Sequence, residues 1–346
     1  MLIADDSPTA RVLLSRIVND DAQLSVVGEA QNGAQAIQLA RSLLPDVIIM
    51  DVQMPIIDGY EATRQIMMQC PTPIVIVTTS LAFNEVEVSM NALRNGALIA
   101  LRKPTGPGHP EYDTQASQFR RIVRLMSEVR VHRSLFPRSR VSKPSPRHPS
   151  PVQIVAIAAS TGGPAAIHAV LNKLPPDFAL PIAVVQHIAK GFAEGFARWL
   201  DGELQLPVKV VDDGELLQPG QVYIAPDHAH LGIDAEGRAR LAEDDNELSY
   251  RPSADHFFRS LASSFGARTL AVILTGMGND GQAGMAELKK TGAWVIAQDE
   301  SSSVVFSMPR SVIDAGLSDQ VLPVEAIGAA ISRYVSRQSS ATEPAT

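Results

Sequence analysis

The 346-residue sequence predicts an α/β protein built of two doubly wound parallel-sheet domains joined by a flexible linker. Three observations carry that reading. The chain is longer than a single hydrophobic core usually grows. In both halves, short apolar runs alternate with segments of helical period, the pattern of parallel strands joined by crossover helices. Between the halves lies RVHRSLFPRSRVSKPSPRHPSP, rich in proline, serine and arginine and without hydrophobic period, which reads as an extended, solvated spacer. The expected organisation is a first domain over 1–130, a linker over 131–151, a second domain over 152–335 and a disordered polar tail over 336–346.

In the first domain LIAD, LSVVGEA, DVIIMD, PIVIVTT and ALIALRK are the expected strands, with amphipathic segments such as GAQAIQLARSL between them. The closing helix, over about 115–132, places Phe119, Ile122, Val123 and Met126 at helical spacing, a core-facing stripe. In a doubly wound sheet, ligands bind outside the carboxyl ends of the strands, so the residue ending each apolar run carries the information. Asp5 and Asp6 end the first run, Asp51 the third, Thr78 the fourth and Lys103 the fifth. A single aspartate in such a place can be no more than a turn or helix cap. Three carboxylates at one sheet edge repel one another and call for a hard cation, for which Mg²⁺ with its oxygen ligands is the natural choice. A lysine and a hydroxyl beside them suit a phosphoryl group.

The second domain repeats the pattern with VQIVAIA, PIAVVQ, QVYIAP, TLAVILTG and AWVIAQ as buried strands. Its first helix, GPAAIHAVLNKL, presents Ile167, Val170, Leu171 and Leu174 on one face. Strand ends here select different chemistry: Ser160 follows VAIA, His187 follows IAVVQ, and Asp280 lies just beyond AVILTG in LTGMGNDG. Acyl transfer needs an exposed hydroxyl, a base to take its proton, a carboxylate to orient the base and donors aimed at the developing oxyanion. The small residues around Ser160 permit a sharp strand-to-helix turn, and the glycines of GMGNDG leave backbone amides free to turn inward. Two other readings of IAASTGGP stand beside this one: a helix cap, and a phosphate cradle at a helix N-terminus. The cradle is disfavoured because STGGP matches neither G-x-x-x-x-G-K-S/T nor G-x-G-x-x-G. The DHAH segment at 227–230 lacks the further ligands a zinc site needs.

Charge excludes some functions. Residues 1–129 hold 10 basic and 14 acidic side chains and residues 151–346 hold 14 and 23, so neither large segment is built to neutralise nucleic-acid phosphates; the basic stretch between them, six basic and none acidic over 130–150, is short. No window reaches the ~20 uninterrupted apolar residues of a membrane span, and MLIA passes directly into DDS without a targeting pattern, so a cytoplasmic protein without membrane insertion is expected. The single cysteine, Cys70, can form no internal disulfide and reads as an idle thiol.

Several motifs in order carry a resemblance. DDSPTAR, DVIIMDVQMPIIDG, IVIVTT and LRKP resemble a two-component receiver domain, a flavodoxin-like fold. The resemblance implies Asp51 as phosphoacceptor, Asp6 as a direct Mg²⁺ ligand, Asp5 as a ligand through water, the Gln53 carbonyl as a further ligand, and Thr78 and Lys103 on the phosphoryl oxygens. Two departures stand out: only four residues precede Asp5, so part of the first strand is expected to be missing from this start, and Ala100 occupies a position that is usually aromatic in this family. IAASTGGP, AVVQHIAKGFAEGFA, VYIAPDHAHL, YRPSADHFFRS and ILTGMGNDGQAGM resemble the catalytic domain of the chemotaxis protein-glutamate methylesterases, a Rossmann-like serine hydrolase. That resemblance implies a triad of Ser160, His187 and Asp280, an oxyanion amide at Met277, and a positioning role for Thr161. It further implies methyl-accepting chemotaxis receptors as substrates, hydrolysis of glutamate methyl esters with some deamidation of glutamines, and no cofactor for the hydrolase. Control is implied to come through a receiver that covers the esterase crevice until the chemotaxis histidine kinase CheA leads to phosphorylation of Asp51.

Overall fold

The computed structural model describes residues 1–78, 97–129, 151–188, 190–243 and 251–339. The chain separates into two units, Met1–Phe136 and Pro137–Thr346. The expected linker up to residue 150 and the expected tail from 340 lie outside the described residues.

The first unit runs β1 (Leu2–Ala4), α1 (Pro8–Asn19), β2 (Gly28–Ala30), α2 (Gly33–Leu43), β3 (Ile48–Asp51), α3 (Gly59–Gln69), β4 (Ile74–Thr78), β5 (Ile99–Arg102) and α4 (Tyr112–Ser127). The strands form one parallel sheet in the order β2-β1-β3-β4-β5, the flavodoxin-like arrangement. Leu2 to Ala4, Ile48 to Met50 and Ile74 to Val77 are wholly buried, as expected of strands covered by helices on both faces. Helices start where the sequence supplies a cap: the side chains of Ser7, Asn32 and Asp58 accept from the amides of Ala10, Gln35 and Glu61. The expected stripe on α4 holds for Phe119, Val123 and Met126, which are buried, with Ile122 half-buried. LSVVGEA is a strand only at Gly28–Ala30, because its partner β1 offers three residues for pairing; Val27 bonds once more, to the Met1 carbonyl, and is exposed.

The second unit contains β6 (Ile154–Ala159), α5 (Gly163–Leu171), β7 (Ile182–Gln186), α6 (Ala193–Glu203), β8 (Val208–Val210), β9 (Val222–Ile224), β10 (His230–Ile233), β11 (Ala239–Ala242) and α7 (Ala254–Ser264). It continues with β12 (Thr269–Ile273), α8 (Gln282–Lys290), β13 (Trp294–Gln298), α9 (Ser307–Asp314), β14 (Gln320–Leu322) and α10 (Val324–Ser339). Seven strands pair in parallel in the order β14-β13-β12-β6-β7-β9-β8, and β10 and β11 form a separate antiparallel hairpin. The five expected strands are the interior of this sheet; the edges β8 and β14 and the hairpin are additional. From β6 the chain winds outward through β7 to β8 and β9, then returns to lay β12 on the other side of β6. That reversal makes the carboxyl edge of β6 a topological switch point, where a crevice opens. α10 continues to Ser339, four residues into the expected tail, since no proline or glycine stops it and the Ser336 hydroxyl donates to the Ser332 carbonyl.

Phe257 on α7 is fully buried in the core beneath this sheet. Phe257→Ala is expected to lower stability by about 3–5 kcal/mol in denaturant unfolding, and a loss under about 1 kcal/mol would contradict the packing described.

Candidate active site

β6 lies between β7 and β12, so the loops after these three strands share one edge. The last pair of the β6–β7 register is Ala159 with Gln186, and the His187 amide donates to the Ala159 carbonyl at 3.0 Å, which brings His187 alongside Ser160. On the other side the Ser160 amide donates to the Thr275 carbonyl at 3.0 Å, tying the serine turn to the loop that carries Met277 and Asp280. After Ser160 the chain turns through Gly162, at φ 78°, where a Cβ would lie 2.5 Å from Cβ of Val304. α5 begins at the next residue, directing its positive end toward the turn.

His187 Nε2 meets Asp280 Oδ2 at 2.7 Å. The ring nitrogen facing a carboxylate carries the proton, which leaves Nδ1 with the lone pair of the neutral imidazole. Asp280 is buried and accepts three further bonds: from the Ser253 hydroxyl at 3.0 Å, the Ala254 amide at 2.7 Å and the Asp255 amide at 3.0 Å. Burial works to raise its carboxyl, but the hydrogen bond to His187 and the two amides at the start of α7 outweigh this and hold it below the ordinary carboxylate range. Thr161, after β6, and Met277, after β12, are half-buried. The Thr275 hydroxyl donates to the Thr161 carbonyl at 2.9 Å and accepts from the Val305 amide at 2.9 Å.

In the first unit the same kind of edge gathers acids. Carboxylate oxygens of Asp5, Asp6 and Asp51 lie within 4.8 Å of one another, and among the described residues this is the one group of three or more His, Cys, Asp or Glu side chains so placed. Lys103 Nζ meets Asp5 at 2.7 Å and Asp51 at 3.0 Å. Burial pushes the Asp51 carboxyl up to about 6, with Lys103 pulling against it and Asp5 adding to it. Burial also pulls the Lys103 ammonium down, but its bonds and charge contacts with the two aspartates win and hold it above its ordinary value. Thr78 ends β4 beside Asp51, and Gln53 lies exposed two residues beyond it. An all-oxygen set with one lysine shared between two buried carboxylates fits a hard divalent cation such as Mg²⁺.

A family model described as CheB methylesterase matches residues 155–331, and one described as response regulator receiver domain matches residues 1–109. The chain belongs to the CheB methylesterase family. A protein-glutamate methylesterase/protein-glutamine glutaminase of Myxococcus xanthus is 49% identical over 331 residues, covering 93% of each chain. A namesake from Anaeromyxobacter dehalogenans is 48% identical over 97% of this chain and 99% of its own. Among solved structures, the methylesterase catalytic domain of Thermotoga maritima CheB superposes with a TM-score of 0.51 at 42% identity, covering 53% of this chain and 99% of that one.

Within this CheB methylesterase fold, some residues at the site escape a strand-end reading. The Gln186 side-chain amide donates to the carbonyls of both Ser160 and His187, each at 2.8 Å, so one buried side chain staples two candidate reacting residues. Its signal was a lone polar residue closing the apolar run IAVVQ. Ser253 and Asp255, which contact Asp280, sit in a stretch whose cap signature, serine before a helical run, gives no sign of a partner 27 and 25 residues away.

The raised Asp51 carboxyl sets a pH dependence. A carboxyl whose folded value exceeds its unfolded value of about 4 destabilises the fold as pH climbs past 4, with the full cost present above about 6. In metal-free buffer, stability of the parent is therefore expected to fall between about pH 4 and 6 by an increment that Asp51→Asn lacks. Coinciding pH profiles of unfolding for the two proteins would contradict this.

Proposed function

We infer that the chain is a phosphorylation-regulated protein-glutamate methylesterase of chemotaxis adaptation, hydrolysing methyl esters on chemoreceptor glutamates. The observation that carries this is the His187–Asp280 pair at 2.7 Å on the strand edge that also bears Ser160, in a chain of the CheB methylesterase family. The relatives' names join this activity to glutaminase, and the same acyl chemistry serves a side-chain amide, so receptor glutamines are substrates of the same site.

In this reading His187 takes the hydroxyl proton of Ser160 through Nδ1, since Nε2 is committed to Asp280. The serine oxygen bonds to the γ-carbonyl carbon of the ester, and the Met277 amide, with Thr161 positioning the turn, stabilises the oxyanion. Protonated His187 then delivers its proton to the departing methoxide, releasing methanol and leaving an acyl-serine. Water attacks the acyl carbon while giving a proton to His187, and return of that proton to Ser160 regenerates the enzyme. Asp280 stays ionised throughout and supports the transient imidazolium.

In the first unit Asp51 is the phosphoacceptor, with Thr78 and Lys103 on the phosphoryl oxygens. Asp5, Asp6, Asp51 and the Gln53 carbonyl would hold Mg²⁺, which when bound neutralises charge on the phosphoryl oxygens. CheA fits as the source of the phosphoryl group. Functionally the chain divides into a receiver over 1–130, a linker over 131–151 and a methylesterase over 152–335. No helix among the described residues is long and apolar enough to cross a membrane.

Methanol release from methylated receptor tests the assignment. Ser160→Ala is expected to lower the rate by about 10⁴-fold or more, and equal rates in variant and parent would end it. Asp51→Asn is expected to lose stimulation by a small phosphodonor, and retained stimulation would place the phosphoacceptor elsewhere.

A further inference from the structure

Two helices start beside Asp280, and amides in the first turn of each are bonded by an aspartate at the start of the other, in addition to the Ser253 cap of α7. The Asp280 carboxylate, in the loop before α8, accepts from the Ala254 and Asp255 amides that open α7. In return Asp255 Oδ1 accepts from the Gly281 amide at 3.0 Å and the Gly284 amide at 2.8 Å, which open α8. The N-cap of α8 is Gly281, which has no side chain to do this itself. The helices come close enough that a Cβ at Gly284 would lie 2.3 Å from the Asp255 carbonyl oxygen. Asp255 thus clamps the backbone one residue from Asp280, while its own amide holds that residue's Oδ1.

We propose that Asp255 is a positioning residue for ester hydrolysis at Ser160: its carboxylate fixes the backbone that carries Asp280 and so aims that carboxylate at His187 Nε2. The proposal rests on Ser160, His187 and Asp280 being the reacting set. Asp255 is assigned no contact with substrate. Its loss therefore weakens support for the imidazolium formed during reaction and leaves ground-state binding alone, so kcat falls and KM holds. A misplacement of about an ångström is enough to cost on the order of 100-fold.

The test uses the full-length protein with methylated receptor and a fixed level of phosphodonor. Asp255→Ala is expected to fold, to lose about 10- to 100-fold in kcat at unchanged KM, and to lose or shift the low-field proton NMR signal of the His187–Asp280 hydrogen bond. Asp255→Asn keeps an acceptor for the two glycine amides and is expected to restore most of kcat and the signal. A folded alanine variant with parental kcat and an unmoved signal overturns the proposal, as does an asparagine variant no better than alanine. Should the alanine variant not fold, Asp255→Glu, which keeps the charge on an arm one methylene longer, is read by the same two outcomes. Asp280→Asn runs alongside: if it keeps parental kcat, the reacting set itself is wrong; if it is inactive while Asp255→Ala is parental, only the clamp is wrong.

Discussion

A buried carboxylate has to be paid for in hydrogen bonds, and the second unit is arranged around one such debt. Asp280 is shut away from water, where an unpaired charge would be prohibitive, and it is met by one imidazole, one hydroxyl and two backbone amides. Meeting those four donors requires α7 to point its amino end at the end of β12, and requires β7 to end level with it across β6. The hydrogen bond to His187 and the two helix amides together hold its carboxyl below the ordinary carboxylate range, so the imidazole faces an anion. Local satisfaction and reactivity therefore ask for the same geometry.

The first unit poses a similar electrostatic problem and leaves it unfinished. Asp5 and Asp51 share the single ammonium of Lys103, and Asp51 is left with a carboxyl that holds its proton to about 6. Where Asp280 is supplied with donors until nothing more is needed, the acidic edge remains short of positive charge. That shortage of positive charge suits such an edge to a hard cation.

Much of this was legible from the sequence because parallel strands covered on both faces are nearly continuous apolar runs, and because their carboxyl ends are where side chains can react. Ser160 and His187 each mark such an end, as do Asp5, Asp51, Thr78 and Lys103 in the first unit, and Asp280 lies in the loop after a third strand of the second unit. The edge strands Val208–Val210 and Gln320–Leu322 were missed because three residues are too few to show a period, and the hairpin at 230–242 lies outside the main sheet. LSVVGEA looks longer in sequence than the strand it forms because a strand's length depends on its neighbour's, which a local pattern does not contain. Gln186, Ser253 and Asp255 stayed hidden for a related reason. Each has an ordinary local role, as strand end, cap or first-turn acid, while the bonds that matter reach residues roughly 25 positions away.

The central position of β6 has a consequence during synthesis. Its neighbour on one side, β7, follows within a few dozen residues, but its neighbour on the other, β12, begins only at Thr269. Until that segment leaves the ribosome, the wholly apolar strand Ile154–Ala159 presents an unpaired edge, a template for joining another chain. A product cut short before β12 is thus expected to aggregate rather than persist as a partial enzyme, whereas the acidic edge of the first unit is complete once Lys103 has emerged.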